Sequence, residues 1–370
     1  MGNAIKLNGN TYSIRGKLGT GGFSEVYLVE GRLCPNAHLP SDRTEHDENN
    51  DSLYALKVMQ CDDDDQLRRA LMEVQVHRRL KHPNVVPLVE SEIRMKVTRH
   101  HSAVQNALSK TKEVLLLFPV YSMGSLQQLL NKAEHMPLFD EPACLHIFLG
   151  IARGVREIHA LGLAHRDIKP GNVLLSDTYA PVVMDLGSTA PLYVSINNHR
   201  DATVLVEEAA QFSSAPYRAP ELWDDSFRGT VSGKADVWSL GCILYALVFG
   251  PFGPFESPHD GVQRLAILNG TVKFPSHVSS DGGVSVAYVA LIQRLLQVNV
   301  DNRPTLDDVI TATEKLLESI TCPDNDFVGV VGKGFSSDPD SVASSTGQRK
   351  TQARDLAYKG RSILNTALAL

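Results

Sequence analysis

Apolar residues recur with a two-residue period from Thr11, where Tyr12, Ile14 and Leu18 lead into Gly19-Thr20-Gly21-Gly22-Phe23-Ser24-Glu25-Val26-Tyr27. This spacing predicts two strands joined by a glycine-rich turn. Residues 34–52 carry Asp42, Glu45, Asp47, Glu48 and Asp51 with almost no apolar spacing, the pattern of a solvated insertion between strands. A third strand is predicted over 53–59. The period then changes: Leu67, Ala70, Leu71 and Val74 stand at i, i+3, i+4 and i+7 and predict a helix over 65–80. The four aspartates just before it, 62–65, favour its positive N-terminal end. Two further strands are predicted at 85–90 and 114–118, separated by a basic segment, 94–112, that reads as a long loop. Residues 119–125, with Pro119 and Gly124, break the pattern and mark a hinge.

Beyond the hinge the helical period dominates. Leu145, Phe148, Leu149, Ala152, Val155 and Ile158 describe an amphipathic helix, and 173–175 and 182–184 read as short strands flanking a turn. Residues 236–249 are apolar nearly all round, which predicts a buried helix. A last helix carries Leu306, Val309, Ile310, Thr313, Leu316, Leu317 and Ile320 on one face. From 323 to 351 the composition turns to Ser, Asp and Gly, a signature of disorder. The end, 356–370, regains aliphatic residues behind Arg349, Lys350, Arg354, Lys359 and Arg361, as a short basic amphipathic segment does.

Composition bounds this picture. A chain of 370 residues, 43% of them hydrophobic, can bury a sizeable core and suits one two-lobed domain of enzyme size with a tail. The formal net charge of −6 lacks the basic footprint that nucleic acid would require. Cys34, Cys61, Cys144, Cys242 and Cys322 are scattered, odd in number and without a C-x-x-C pair, so neither a disulfide framework nor a zinc site is expected. The pair His100-His101 has no matching ligands nearby. No apolar run reaches transmembrane length.

The chemistry centres on His165-Arg166-Asp167-Ile168-Lys169-Pro170-Gly171-Asn172, which reads H-R-D-x-K-P-x-N. In that pattern the Asp accepts the proton of an attacking hydroxyl, and the Asn five residues on holds a magnesium ion. A Pro-Gly turn alone explains a polar bend, but not the match at the other positions. Glycines at 19, 21 and 22 let backbone N–H groups approach phosphate oxygens, with Val26 against the base of a nucleotide; alone, such a run is more often an ordinary hairpin. Lys57 sits in a Y-A-L-K variant of V-A-I-K. Glu73 lies on the helix that follows, among apolar neighbours, and an acid so placed needs a partner such as Lys57. Asp185-Leu186-Gly187 stands where D-F-G is usual, with 33 residues between Asp185 and Ala219-Pro220-Glu221. Asp236 opens the buried helix and must be hydrogen-bonded, and Arg303 is a candidate partner for Glu221.

Taken together these residues resemble the eukaryotic protein kinase family over 12–321. The resemblance implies an α+β, two-lobed protein kinase fold, with a small β-rich N-lobe over 12–121 and a larger α-helical C-lobe over 122–322, preceded by a segment 1–11 and followed by the tail. It implies ATP and Mg2+ as cofactors and protein serine/threonine substrates, the Lys169-Pro170 combination being similar to the serine/threonine branch. Position by position, it implies Asp167 as catalytic base assisted by Lys169. Gly19, Gly21, Gly22, Val26, Ala55, Lys57, Glu73 and Leu174 form the ATP-binding set, and Asn172 and Asp185 hold the metal. Asp236 braces the catalytic loop and Arg303 pairs with Glu221. Within kinases, G-x-G-G-F-S-x-V, M-D-L-G-S and Glu207-Glu208-Ala209-Ala210-Gln211 are similar to the Numb-associated kinase group. That likeness implies an additional helix near 203–211 and accounts for Ser24 in place of a third glycine and for Leu186.

The rival of another class is a pseudokinase scaffold; it is disfavoured because Lys57, Glu73, Asp167, Asn172 and Asp185 are all present. A P-loop ATPase lacks its G-x-x-x-x-G-K-[ST]. Autophosphorylation is expected in the activation segment, with Thr189, Thr203, Ser213 and Ser214 as candidates and Arg166 as a cation for the phosphate. A cytoplasmic protein is expected. Weak peripheral binding to membranes such as the Golgi is implied by resemblance, through Gly2 myristoylation and the basic C-terminal segment, although Lys6 departs from M-G-x-x-x-[ST].

Overall fold

A computed structural model describes residues 4–33, 51–102, 105–132, 138–275 and 284–321. The chain divides into two units, Met1–Leu317 and Glu318–Leu370, and the second is described only where it holds the last residues of the final helix. The acidic insertion 34–50, Gly2, and the tail from Cys322 onward with its basic segment lie outside the described residues, as do the side chains of His100 and His101.

The N-terminal lobe is built on one antiparallel sheet. Its strands are β1 (Ala4–Leu7), β2 (Asn10–Thr20), β3 (Ser24–Gly31) and β4 (Ser52–Cys61), followed by helix α1 (Asp64–Arg79), then β5 (Glu90–Ser102) and β6 (Gln105–Pro119). The sheet order is β1-β2-β3-β4-β6-β5. Tyr12, Val29, Leu56, Leu115 and Leu117 fill one side, and Met59, Val114 and Leu116 pack with Ala70 and Val74 of α1 on the other. A strand buried on both faces reads as a continuous apolar run, as Val114, Leu115, Leu116 and Leu117 do. Asp63 caps α1, its carboxylate accepting from Gln66 N at 2.7 Å, and Asp64 and Asp65 follow in the first turn.

Three expectations are corrected here. Hydrophobic spacing shows no element before Thr11, yet β1 pairs with β2 and buries Leu7 completely. Residues 85–89 are not a strand: Pro87 denies the ladder an N–H donor, and Val85 instead bridges Val183 of the other lobe, with Val86 N donating to Val183 O at 2.9 Å. Segment 94–112 is no loop; β5 and β6 pair from Glu90↔Leu117 out to Ser102↔Gln105. Here Arg94 and Lys96 turn inward to the buried Glu113, at 2.6 and 2.7 Å, while Ile93 and Met95 face outward. Inverted alternation hides a strand from a search for inward apolar residues.

The second lobe begins with α2 (Leu126–Asn131), capped by Ser125 and Gln128 in a capping box, and α3 (Glu141–Ala160). Short strands follow: β7 (Leu163–Ala164), β8 (Val173–Leu175), β9 (Pro181–Val183), β10 (Ala190–Pro191) and β11 (Val194–Ile196). Then come α4 (His199–Phe212), β12 (Gly229–Val231), α5 (Lys234–Phe249), β13 (Glu256–Ser257), β14 (Gly261–Val262), α6 (Arg264–Asn269), α7 (Val286–Leu295) and α8 (Leu306–Thr321). α5 is the core of this lobe, with Trp238 fully buried and stacked on Phe255 at 5.2 Å. α4 spans the 203–211 helix expected inside the activation segment and extends it at its N-terminal end, where Asn198 caps it. A β-rich lobe followed by a helical one is the α+β, two-lobed arrangement expected.

Candidate active site

β8 and β9 form a hairpin whose flanks carry the polar residues of the site. Residues 165–172 precede it and Asp185 follows it. Asp236, fully buried at the start of α5, organises the first flank: its carboxylate accepts from His165 N at 2.8 Å, from Arg166 N at 2.9 Å, and pairs with His159 Nε2 at 2.8 Å. Burial alone pushes this carboxyl up, but the hydrogen bond from His159 and the surrounding positive charge bring it down to about 2. His159 is a member of the site that sequence reasoning missed; its signal is weak, a histidine on the last turn of a helix. His165 Nδ1 accepts from Asp167 N at 3.3 Å, which leaves Nε2–H to donate to Met184 O at 3.1 Å and so selects one tautomer.

These bonds present the Asp167 carboxylate. Its Oδ2 accepts from Lys169 Nζ at 2.8 Å and from Asn172 Nδ2 at 3.0 Å, and its Oδ1 accepts from Ser214 N at 2.8 Å. Lys169 Nζ also donates to Ser214 Oγ at 2.7 Å, so the activation segment closes over the catalytic loop. Arg166 and Asp185 both hold left-handed backbone, with φ of 67° and 63°. Left-handed residues with side chains cost roughly 1–3 kcal/mol each and concentrate at functional sites.

Lys57 reaches this region from β4. Its ammonium donates to Glu73 Oε1 at 2.8 Å, Oε2 at 3.0 Å and Asp185 Oδ1 at 3.0 Å. Burial opposes the charge on Lys57, yet Asp185 and Glu73 outweigh it and hold the ammonium above its ordinary range. The Lys57 charge in turn lowers Asp185 to about 2. Burial pushes the Glu73 carboxyl up and Lys57 pulls it back; with the lysine bidentate on it, the ionised pair is the state the geometry supports. Gly187 lets the chain pass close beside this triad: a Cβ there would stand 3.2 Å from Glu73 Oε2 and 3.4 Å from Asp185 Oδ1, a tight fit that would require the Glu73 carboxylate to give by a few tenths of an ångström.

The remaining candidates line one wall. Val26 is the cross-strand neighbour of both Gly19 and Lys57, and Ala55 lies two residues from Lys57, so Val26, Ala55 and Lys57 share a face of the sheet. Leu174 bridges Ser125 at the hinge. The turn above them is closed by Gly21 N donating to Ser24 O at 2.7 Å, and a Cβ on Gly21 would meet Ser24 Oγ. Gly19 and Gly22 have open space at that position. Asp185 offers a half-exposed carboxylate, and Asn172, whose Nδ2 is engaged by Asp167, has its side-chain Oδ1 left for a cation. One carboxylate and one amide oxygen are hard donors that suit magnesium shared with phosphate oxygens. The donor set therefore fits Mg-ATP.

Glu221 and Arg303 pair at 2.8 and 2.9 Å, fully inside the second lobe. Among the described residues no three His, Cys, Asp or Glu side chains cluster as metal ligands, and no helix is long and apolar enough to cross a membrane. Cys61, Cys144 and Cys242 are buried free thiols.

Residues 41–313 match the family model of the protein kinase domain. Serine/threonine-protein kinase 16 of Mus musculus is 32% identical over 313 residues, covering 84% of this chain and 92% of that protein. The Homo sapiens protein of the same name is 33% identical over the same shares. Serine/threonine-protein kinase ENV7 of Saccharomyces cerevisiae is 27% identical, covering 84% of this chain and 93% of that protein. With the lobes, the loop and the relatives in agreement, the chain belongs to the protein kinase domain family and is a protein serine/threonine kinase.

Proposed function

We propose that the chain is an active Mg-ATP-dependent kinase and not a scaffold, with roles divided among its site residues as follows. The observation that carries this reading is Asp167, held on both oxygens by Ser214, Lys169 and Asn172, with Lys57, Glu73 and Asp185 converging beside it. Bound Mg-ATP supplies the phosphoryl group and the divalent charge that offsets it. Asp167 orients a substrate Ser or Thr hydroxyl and takes its proton, while Lys169 places a cation where negative charge accumulates. Lys57, fixed by Glu73, binds phosphate oxygens; Asn172 and Asp185 hold the metal; Gly19, Gly21 and Gly22 cover the nucleotide, and Val26, Ala55 and Leu174 pack against its base. The helix α4 supports the finer placement in the Numb-associated kinase group.

The test is phosphate transfer from Mg-ATP to a general protein substrate, read by phosphoamino-acid analysis. Phosphoserine and phosphothreonine are expected, with activity lost by at least about a thousandfold in Asp167→Asn and Asp185→Asn while both keep the parent's melting curve. Activity within about tenfold of the parent in either variant rejects the assignment.

Autophosphorylation belongs to the same proposal. Thr189 Oγ1 is buried and donates to Leu186 O, and Ser213 and Ser214 are engaged with Arg218 and Lys169. Thr203, partly exposed on α4, is the favoured acceptor. Mass spectrometry of fully active protein with no phosphate on 189–214 would remove the idea. Weak peripheral membrane attachment through Gly2 and the basic segment 349–361 is carried by sequence alone; equal solubility of the parent, Gly2→Ala and a chain ending at Thr351 would dispose of it.

A further inference from the structure

The activation-segment helix is anchored unusually lightly. Of the 14 residues of α4, Ala202 and Ala209 alone are buried. Its C-terminal end, by contrast, is gripped from two sides. On one, Arg218 donates from Nη2 to Ser213 O at 2.7 Å and from Nε to Ser213 Oγ at 2.9 Å, while its guanidinium lies 4.2 Å from the centre of a Trp223 ring. On the other, the Phe212 ring carries the guanidinium of Arg69 at 3.8 Å from its centre. Arg69 belongs to α1.

The two ends of that contact are placed where they matter. Arg69 precedes Glu73 by four residues, one turn on the same face of α1, and Glu73 holds Lys57. Phe212 precedes Ser214 by two residues, and Ser214 bonds both Asp167 and Lys169. A continuous path therefore runs from Lys57 through Glu73, Arg69, Phe212 and Ser214 to Asp167. Arginines often lie on exposed rings for packing alone. Here the neighbouring Arg68 pairs with Asp65, whereas Arg69 has no carboxylate within ion-pair distance among the described residues, and the ring is at the end of a polar helix. A guanidinium near the last carbonyls of α4 also suits the negative end of that helix.

We propose that Arg69 and Phe212 are positioning residues for phosphotransfer. Their cation–π contact braces α1 against the activation segment, so that the Lys57–Glu73 pair and Asp167 are set together without a phosphate. The proposal rests on the kinase reading above. The test uses the full chain and a peptide substrate. Phe212→Leu and Arg69→Met are each expected to lower kcat about tenfold with KM for ATP and peptide within about twofold. The double variant should be no worse than either single one, because both remove one contact. Phe212→Trp, which keeps a ring for the guanidinium, should stay within about twofold of the parent. Amide hydrogen exchange over α1 should rise in Phe212→Leu while exchange over α5 stays unchanged. Losses that multiply in the double variant, parent-like kcat in Phe212→Leu, or unaltered exchange over α1 would each overturn the brace. A parent chain with no phosphotransfer would defeat the kinase reading instead, and the exchange measurement would then decide the brace alone.

Discussion

Two of the buried ion pairs among the described residues are of opposite character. Arg303–Glu221 is sealed: the arginine's side chain is fully buried, and it donates to Glu221 through both terminal nitrogens and to the backbone oxygens of Gln297, Lys234 and Val298. Every donor of the guanidinium is used within the lobe. Lys57–Glu73 is open at one end. Its third hydrogen bond goes to Asp185, whose side chain is 44% exposed, so a second anion can reach that end of the pair. The first arrangement has every donor used and the second has a partner it can exchange, which separates a pair that holds a fold from a pair suited to the charge-binding role proposed for it.

Substitution should separate them in the same way. Lys57→Ala is expected to cost at least about a hundredfold in kcat/KM, because it removes a preorganised cation, and to lower the denaturation midpoint as well but by less than Arg303→Ala, because burial already favours a protonated Glu73 once its cation is gone. Arg303→Ala should do the reverse. Removing one partner of a buried pair leaves an uncompensated charge and destabilises by about 3–5 kcal/mol. The folded fraction should retain near-parent turnover. Urea denaturation of both variants, with rates normalised to folded protein, checks the comparison; an inactive but fully stable Arg303→Ala would break it.

Asp236 sharpens the contrast because it combines the two characters. It is as buried as Glu221, yet its three partners are the backbone of His165 and Arg166 and the ring of His159. In Asp236→Asn an amide NH2 must face at least one of these N–H donors. The expected loss is about 1–3 kcal/mol of stability, accompanied by a fall in kcat, since the donors it orients belong to the catalytic loop. A variant that loses stability and keeps kcat would show that the loop holds itself.

How much of this was legible in the chain depends on whether a residue's job is local. Asp167, Lys169 and Asn172 lie within one loop, so their spacing alone carried their geometry. α1, α3, α5 and α8 followed the helical period closely, because each buries a stripe or, for α5, every side. Of the hairpin β5–β6 only 114–118 was legible; the stretch around 94–96 was hidden for the opposite reason, its charged residues pointing in to Glu113. Val85 and Val86 read as a strand since periodicity cannot distinguish a ladder from a bridge to the other lobe. Nothing local marks His159 or the pair Arg69 and Phe212, whose partners lie 77 and 143 residues away along the chain.

His77 provides the smallest expected effect. It stands four residues beyond Glu73 on α1, fully buried, with its ring 5.0 Å from that of Phe118 and its Nε2 3.9 Å from Glu73 Oε1. Neither ring nitrogen makes a well-formed hydrogen bond among the described residues, although the Val86 backbone lies close enough to favour the charged ring a little. Burial, reinforced by the charge of Lys57, depresses its pKa from 6.5 to about 3. Glu73 offers little relief, being committed to Lys57. The unfolded chain therefore binds a proton at His77 between about pH 6.5 and 3 that the folded chain does not. Stability from this residue is complete above the unfolded value and declines as pH falls through that window, by about 1.4 kcal/mol for each pH unit. His77→Leu removes the titrating group, so the difference between parent and variant isolates it from His82, whose pKa burial also lowers. Denaturant midpoints at about pH 7.5, 6.5 and 5.5 should show the parent losing about 1 kcal/mol more than His77→Leu over the last step. Parallel losses in the two proteins would mean that His77 accepts its proton in the folded state, and that the Lys57–Glu73 pair tolerates a second cation beside it.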